Sequence, residues 1–318
     1  MKRQFLSAIL TLCVILAVCV GCQKEPINDD NDEPQSIMVP EGAIGGLFSI
    51  NIHDKVLLSK GNLQYQASTD TWRFAEHQWD FVGSLITEDN EPSGTVSGSS
   101  NHLISPTYDG WIDLFGWGTS NFNHHAVCYQ PWSTSTNNSD YFAYCTPEYN
   151  MYDSNGKADW GHNAISNGGN QEDQWRTLTR NEWLHLIYWR RTSSGRTHVL
   201  GQVNGVNGFI LIPDTCKAET VNLLTFSSFD FTPTFASNTI DADTWTHVFE
   251  AEGFAFLPAA GYRDGLTFNY IGYNGHYWTS STLEENAFSI ILLETGGSAA
   301  GSDQRHRGYS VRLARDYE

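Results

Sequence analysis

The chain has 318 residues and a formal net charge of −18, from 18 Lys+Arg and 36 Asp+Glu. This charge argues against DNA or RNA as a partner, because binding a polyanion requires clustered cations that displace phosphate counterions. Hydrophobic residues make up 40% and aromatic residues 13% of the chain, so most of it can bury a core and is not expected to be disordered.

Residues 1–21 have the features of an export signal. Two basic residues precede an apolar run over residues 5–20, which is shorter than the roughly 20 residues of a membrane-spanning helix. The following Gly21 and Cys22 resemble a bacterial lipobox, although Cys19 stands where Leu is usual. The resemblance implies a lipoprotein signal peptide over 1–21 and lipid attachment at Cys22. An ordinary secreted protein that is cleaved nearby is the alternative.

Residues 22–40 form a segment of different composition. From residue 23 to residue 40 there are five acids, one lysine and three prolines, with few apolar side chains. This composition is typical of an extended, disordered tether. An acidic stretch after a lipidated cysteine also resembles the surface-export signal of Bacteroidetes lipoproteins. It implies an outer-membrane lipoprotein of the cell envelope that faces the cell surface, with a periplasmic orientation as the alternative.

The remainder of the chain, residues 41–318, shows short apolar runs separated by turns and loops. Residues 84–110 and 121–174 are polar and are predicted as long loops, whereas GWIDLFGWGTS (110–120) is predicted to be packed but irregular. Alternating or continuous apolar positions predict strands elsewhere. In chain order, the predicted strands are 46–51, 55–66, 71–76, 198–203, 208–213, 254–263, 276–281, 287–294 and 308–315.

Two helices are predicted between these strands. Thr179 and Glu182 have the spacing of a capping box, and the amphipathic run NEWLHLIYWRR follows, with its two arginines in the last turn. The second helix is expected to begin near Asp241 or Asp243 and to end at Gly253, which is a suitable C-terminal cap. The pattern as a whole predicts an α+β fold with short, mostly antiparallel strands, two helices and long loops.

Several motifs resemble a known family. WRTLTRNEW (175–183) resembles the W-R-x-P-T-x-x-E-W signature of C-type-lectin-like domains related to the formylglycine-generating enzyme, with Leu178 in place of Pro. The end of the chain resembles the Fibrobacter succinogenes major paralogous domain in FLPAAGYRDG (256–265), YWTSST (277–282) and GYSVRLAR (308–315). SKGNLQYQASTDTWRF and GWIDLFGWGTS resemble the start of Bacteroidetes lipoproteins built on this unit. These resemblances imply a single C-type-lectin-like domain with loop insertions.

The resemblance does not carry the chemistry of the enzyme with it. The formylglycine-generating enzyme acts through a pair of copper-binding cysteines near its C-terminus, and this chain has no cysteine after Cys216. No other side chain replaces a thiolate ligand, and a shared fold does not imply a shared function. We therefore expect no enzymatic activity and no cofactor. Cys128 and Cys145 lie in one polar loop and can pair, but their state and that of Cys216 stay open.

Other patterns that suggest metal sites have simpler explanations. Glu182 and His185 have the spacing of half a di-iron motif, but Glu182 is better placed in the capping box. His124 and His125 are neighbours whose side chains point in different directions, which favours a solvated loop. No metal site is predicted, and calcium binding by irregular acidic loops stays open.

Aromatic residues in the late loop RDGLTFNYIGYNGH are the candidate ligand contacts. Exposed aromatic rings beside hydrogen-bonding side chains suit sugar rings or protein partners, whereas a well-packed loop with locally bonded hydroxyls is the alternative. The candidate residues are Tyr262, Arg263, Tyr270, Tyr273 and His276.

Three functions remain open for this envelope protein. The first is non-catalytic binding of a glycan or protein ligand by a lipid-anchored domain. The second is an extracellular polysaccharide-acting hydrolase with an unrecognised site. The third is a structural subunit of a surface assembly. The sequence favours the first, because the lipobox, the acidic tether, the family motifs and the missing cysteine pair agree with it.

Overall fold

Short strands, most of them antiparallel, make up the regular part of the computed structural model, which describes residues 38–82, 104–122, 127–228, 231–295 and 298–317. The strands are β1 (Ala43–Ser49), β2 (Lys55–Ser59), β3 (Leu63–Gln66), β4 (Thr71–Phe74), β5 (Trp111–Ile112), β6 (Arg176–Thr177), β7 (His198–Val203), β8 (Val206–Leu211), β9 (Thr239–Ile240), β10 (Ala255–Pro258), β11 (Tyr262–Asp264), β12 (Thr267–Asn269), β13 (Gly275–Leu283), β14 (Asn286–Leu292), β15 (Ser298–Gln304) and β16 (Leu313–Tyr317).

The first sheet joins the two ends of the described chain, in the order β1-β2-β16-β6. Strand β2 pairs antiparallel with β1 on one side and with β16 on the other, with Ala314 opposite Leu58. β1 alternates buried and half-buried positions, which is the pattern of a strand with one face on the core. The predicted strand 308–315 begins later than expected, because residues 308–310 form single bridges to other segments.

The remaining strands form four small sheets, in the orders β10-β8-β7-β9, β13-β14-β15, β4-β3-β5 and β11-β12. β7 and β8 form a hairpin whose two-residue turn is Asn204 (φ +49°) and Gly205 (φ +80°). Both residues tolerate positive φ, so the expectation for this turn is confirmed, although the connection is shorter than the four residues predicted. The sequence did not predict β5, β6, β9, β12 or β15.

The helices are α1 (Arg180–Leu184), α2 (Ala218–Val221) and α3 (Ala242–Thr244), of which α1 and α3 each continue into one wider π turn. The capping box is confirmed: Glu182 N donates to Thr179 Oγ1 (3.3 Å), and Thr179 N donates to the Glu182 carboxylate (2.7 Å). The helical segment ends at Trp189, so Arg190 lies beyond it in extended conformation. The helix that includes α3 begins at Asp241 and ends at Gly253 (φ +83°), as predicted.

Segments without regular strands or helices are also buried. Residues 112–121 are buried although only the first belongs to a strand, as predicted for GWIDLFGWGTS. The predicted loop 121–174 contains buried Tyr141, Met151 and Trp160. It is built of short 3-10 helices, namely Val127–Tyr129, Asn138–Tyr141, Ala143–Cys145, Ser154–Gly156 and Trp160–His162. Most of the predicted loop 84–110 lies outside the described residues.

The core is rich in aromatic residues and consists of several clusters, which include residues of strands and of loops. One cluster joins Trp72, Trp117, Trp160 and Tyr309 with the loop residues around them. A second gathers the first sheet, α1 and the strands β8, β10, β13 and β14, and a third covers the outer face of β7 and β8 with the helix around Trp245. The described residues belong to one compact unit, Met38–Glu318. The protein is α+β, with mostly antiparallel sheets and few helices.

Three arginines, Arg263, Arg305 and Arg312, are at most 1% exposed. Burial lowers the pKa of Arg305 and of Arg312 to about 10, so both stay charged at neutral pH. Their guanidinium groups donate to backbone carbonyl oxygens, most of them in segments far away in sequence. The acceptors are Leu114, Ser133 and Gly265 for Arg263, Pro147, Glu284 and Asn286 for Arg305, and Ser59 and Phe256 for Arg312.

Candidate functional site

The late loop that carries the predicted contact residues is partly a hairpin. Strands β11 and β12 pair with Tyr262 opposite Asn269 and Asp264 opposite Thr267. Gly265 (φ +58°) occupies the first central position of the turn, where positive φ is required. Gly261 (φ +64°) precedes the hairpin, and a Cβ there would lie 2.1 Å from Asn269 O. Glycine at 261 therefore lets the two strands approach closely.

Arg263 is the buried anchor of this hairpin. It is 0% exposed, and its guanidinium donates to Gly265 O (2.8 Å), Leu114 O (3.0 Å) and Ser133 O (3.2 Å). Its backbone also exchanges two hydrogen bonds with Gly308, of 2.9 and 2.7 Å. The expectation that Arg263 contacts a ligand is therefore wrong, because its side chain does not reach the surface and its donors are used within the fold.

Two tyrosines of the hairpin region do reach the surface. Tyr270 is 47% exposed and Tyr262 is half-buried, and their rings stack with centroids 6.0 Å apart and planes at 28°. Tyr270 has φ +56°, which is an unusual conformation for a bulky side chain and costs on the order of 1–2 kcal/mol. The turn that follows holds it there, since Tyr273 N and Asn274 N both donate to Tyr270 O at 3.1 Å.

Arg307 also belongs to this surface. Its guanidinium carbon lies 5.1 Å from the ring centroid of Tyr262, and it forms an ion pair with Asp303 at 2.8 Å. Sequence reasoning missed both residues, because they approach Tyr262 only through the pairing of Gly308 with Arg263. We call Tyr262, Tyr270 and Arg307 together the tyrosine surface. It offers aromatic rings beside a guanidinium and a carboxylate.

His276 lies beneath the tyrosine surface. Its ring packs against Tyr262 (5.0 Å between centroids) and Tyr309 (4.8 Å), and it is 5% exposed. Neither ring nitrogen has a hydrogen-bond partner among the residues that the structure describes. Burial lowers the pKa of His276 to about 4, with smaller effects of Asp303 and Arg307. His276 therefore supports the exposed rings from below, and the expectation of direct contact through its side chain is corrected.

Tyr273 is the last of the five predicted contacts. It is half-buried in the turn that presents Tyr270. The structure thus brings Tyr262, Tyr270 and Tyr273 to one stretch of surface, and it places Arg263 and His276 below them.

Asp113 is a buried carboxyl group whose pKa is shifted toward neutrality. Burial raises its pKa to about 8, against the opposing effects of a hydrogen bond from Val82 N and of the charge of Arg263. A carboxyl with a raised pKa in a cleft is a candidate general acid. Asp113 has no exposed surface, however, so its pKa reflects burial in the core beside Arg263.

The residues whose spacing suggested metal sites are not gathered into one by the described structure. Glu182 accepts two hydrogen bonds from Arg176, at 2.8 and 2.9 Å, in addition to its bond in the capping box. His124 and His125 lie outside the described residues. Within the described ranges, no group of three or more His, Cys, Asp or Glu side chains is placed to hold a metal ion.

The cysteines of the described chain lie in different surroundings. Cys128 is buried in the aromatic core, and Tyr144 N donates to Tyr129 Oη at 3.0 Å, which places the segments of Cys128 and Cys145 side by side. Their pairing stays a prediction. Cys216 is half-buried, and burial raises the pKa of its thiol.

Comparisons with known proteins identify no relative of the chain. No family model matches the chain, and neither a curated protein nor a solved structure matches it. Of the helices in the described part of the chain, none has the length and apolar character needed to cross a membrane.

The buried position of His276 predicts a pH-dependent stability. An unfolded histidine has a pKa of about 6.5, whereas that of His276 is lowered to about 4. Between these values the unfolded state binds a proton that the folded state excludes, so acidification favours unfolding. The free energy of unfolding should fall by roughly 2–3 kcal/mol from pH 7 to pH 4.5 because of this residue.

Replacing His276→Phe keeps a ring between the two tyrosines and removes the titration. Urea unfolding at pH 7 and pH 4.5 should then show a smaller difference for the variant than for the wild type. An unchanged difference would show that His276 does not titrate as its burial requires.

Proposed function

We propose that the protein is a lipid-anchored lipoprotein of the cell envelope that binds a glycan, without catalysis, through the tyrosine surface at the cell exterior. The observation that carries this proposal is the exposed ring of Tyr270, which is held at φ +56° by the turn after it. An unfavourable backbone conformation persists only where the surrounding structure enforces it, and such positions concentrate at binding sites.

The chemistry of the tyrosine surface suits a sugar. The C–H face of a pyranose packs against an aromatic ring, while its hydroxyl groups need donors and acceptors at the rim. Tyr262 and Tyr270 supply the rings. Arg307 supplies donors, and Asp303, which forms an ion pair with it, supplies acceptors.

We further propose that the domain has a C-type-lectin-like fold. In support of this, motifs that are far apart in sequence pack against one another. β6, from WRTLTRNEW, pairs with β16, from GYSVRLAR, and Ser280 N donates to Leu178 O at 3.0 Å. The indole of Trp278 donates to Phe115 O at 2.7 Å, which joins YWTSST to GWIDLFGWGTS. The motifs therefore belong to one packed unit, as expected for residues that define a family.

The tyrosine surface is tested by removing one ring while keeping its backbone. Asparagine tolerates positive φ, so Tyr270→Asn should fold normally and lose about tenfold or more in glycan affinity, the effect of removing a central aromatic contact. A glycan array and a titration with the best glycan, using the full-length chain, measure this. Tyr317→Asn removes another exposed tyrosine and should bind like the wild type.

Two outcomes would contradict the glycan proposal. One is a folded wild-type protein that binds no glycan on the array, and the other is a Tyr270→Asn variant with unchanged affinity. If the wild type instead captures a defined protein and Tyr270→Asn does not, the ligand of the tyrosine surface is a protein and not a glycan.

Lipid attachment is tested separately at Cys22. When the full-length chain is expressed in a bacterium with a labelled fatty acid, Cys22→Ser should lose the label and leave the membrane fraction. Cys19→Ser is the matched control and should stay labelled. A labelled Cys22→Ser variant would show that the anchor is elsewhere or that the chain is exported by another route.

A further inference from the structure

A concave site lies beside the start of β7, and none of its lining residues belongs to the tyrosine surface. It is an open cleft of about 360 Å³ between the end of the α1 helical segment, the turn before β7 and the segment around Phe226. This size is within the range of small-ligand sites. Its lining includes Tyr188, Arg190, Arg196, Thr197, His198 and Phe226.

The two arginines of this cleft are in different states. Arg190 is buried, and its charge is compensated by Asp214 at 3.1 Å and by the carbonyl oxygens of Leu186 and Thr197. Arg196 is exposed, lies 5.0 Å above the ring of Phe226, and forms no ion pair with any residue that the structure describes. Stacking on an aromatic face orients a guanidinium for bidentate binding of a carboxylate.

His198 offers a hydrogen-bond acceptor of defined tautomer. The hydroxyl of Thr197 donates its single hydrogen to Ile187 O (2.7 Å), so the contact of 3.0 Å between Thr197 Oγ1 and His198 Nδ1 requires a hydrogen on Nδ1. Burial lowers the pKa of His198 to about 4, so the ring is neutral at pH 7. Nε2 then carries a lone pair, and no described residue donates to it.

Aromatic surface and charge complete the cleft. Tyr188 is 41% exposed and its ring lies edge-on to His198 at 6.4 Å. None of the described lining residues is acidic, although the chain as a whole has a net charge of −18. The guanidinium of Arg196 therefore gives this cleft a positive charge although the protein as a whole is acidic. Such a cleft binds an anionic ligand more tightly than the neutral form of the same ligand.

We infer that this cleft binds an acidic sugar, with its carboxylate on Arg196, a hydroxyl donating to His198 Nε2 and its apolar face against Tyr188. This site is distinct from the tyrosine surface, and its ligand is selected by charge.

The test is a calorimetric titration of the full-length protein with glucuronate, galacturonate and N-acetylneuraminate, and with glucose as the uncharged counterpart. At least one acidic sugar should bind, about tenfold or more tighter than glucose. Arg196→Gln should weaken that binding about tenfold, since a charge-assisted bidentate contact is lost. Arg191→Gln removes the same charge at a neighbouring exposed position outside the cleft and should leave the affinity unchanged.

The inference is overturned if none of the three acidic sugars binds, if glucose binds equally well, or if Arg196→Gln binds like the wild type. Tyr270→Asn should leave acidic-sugar binding intact, so failure of the cleft and failure of the tyrosine surface are distinguishable.

Discussion

Buried guanidinium groups that donate to backbone carbonyl oxygens are the constraint on which this loop-rich fold depends. A carbonyl in a strand or helix is satisfied by its neighbours, but a carbonyl in a buried irregular loop must find another donor. Arg263, Arg305 and Arg312 donate to eight carbonyl groups, of which five lie in turns or irregular loops and three in strands. The turn and loop carbonyls are those of Leu114, Ser133, Pro147, Gly265 and Glu284, and the strand carbonyls are those of Ser59, Phe256 and Asn286. Each arginine has several donors in a fixed plane, so one side chain can join two or three segments at once.

This arrangement also positions the surface that we propose as a binding site. Arg263 joins the turn of the β11–β12 hairpin to the irregular segment at Leu114 and to the loop at Ser133. His276 packs beneath Tyr262. Arg263 and His276 together hold the backbone and the rings that support Tyr262 and Tyr270. A site whose rings rest on a rigid, buried support loses little entropy on binding. Of the five residues that were expected to touch ligand, Arg263 and His276 thus lie beneath the surface and support it.

The parts of this fold that sequence reasoning predicted are the ones set by local chemistry. The capping box at Thr179, the Asn204-Gly205 turn and the cap at Gly253 each depend on a few neighbouring residues, and all three are present. The features that sequence reasoning missed depend on contacts between segments that are far apart in the chain. Arg263 was expected at the surface, because no neighbouring residue in the sequence indicates that the carbonyl groups of Leu114 and Ser133 will lie beside it. Arg307 and the cleft around Arg196 were missed for the same reason, since each is assembled from separate segments.

The most direct test of the central role of the buried arginines is Arg263→Lys, measured by urea unfolding at pH 7. Lysine keeps the positive charge but cannot reach three carbonyl groups in the plane of a guanidinium, so buried acceptors are left without donors. We expect a loss of about 2–4 kcal/mol in the free energy of unfolding, while Arg191→Lys at an exposed position should stay within about 0.5 kcal/mol of the wild type. An Arg263→Lys variant as stable as the wild type would contradict the account.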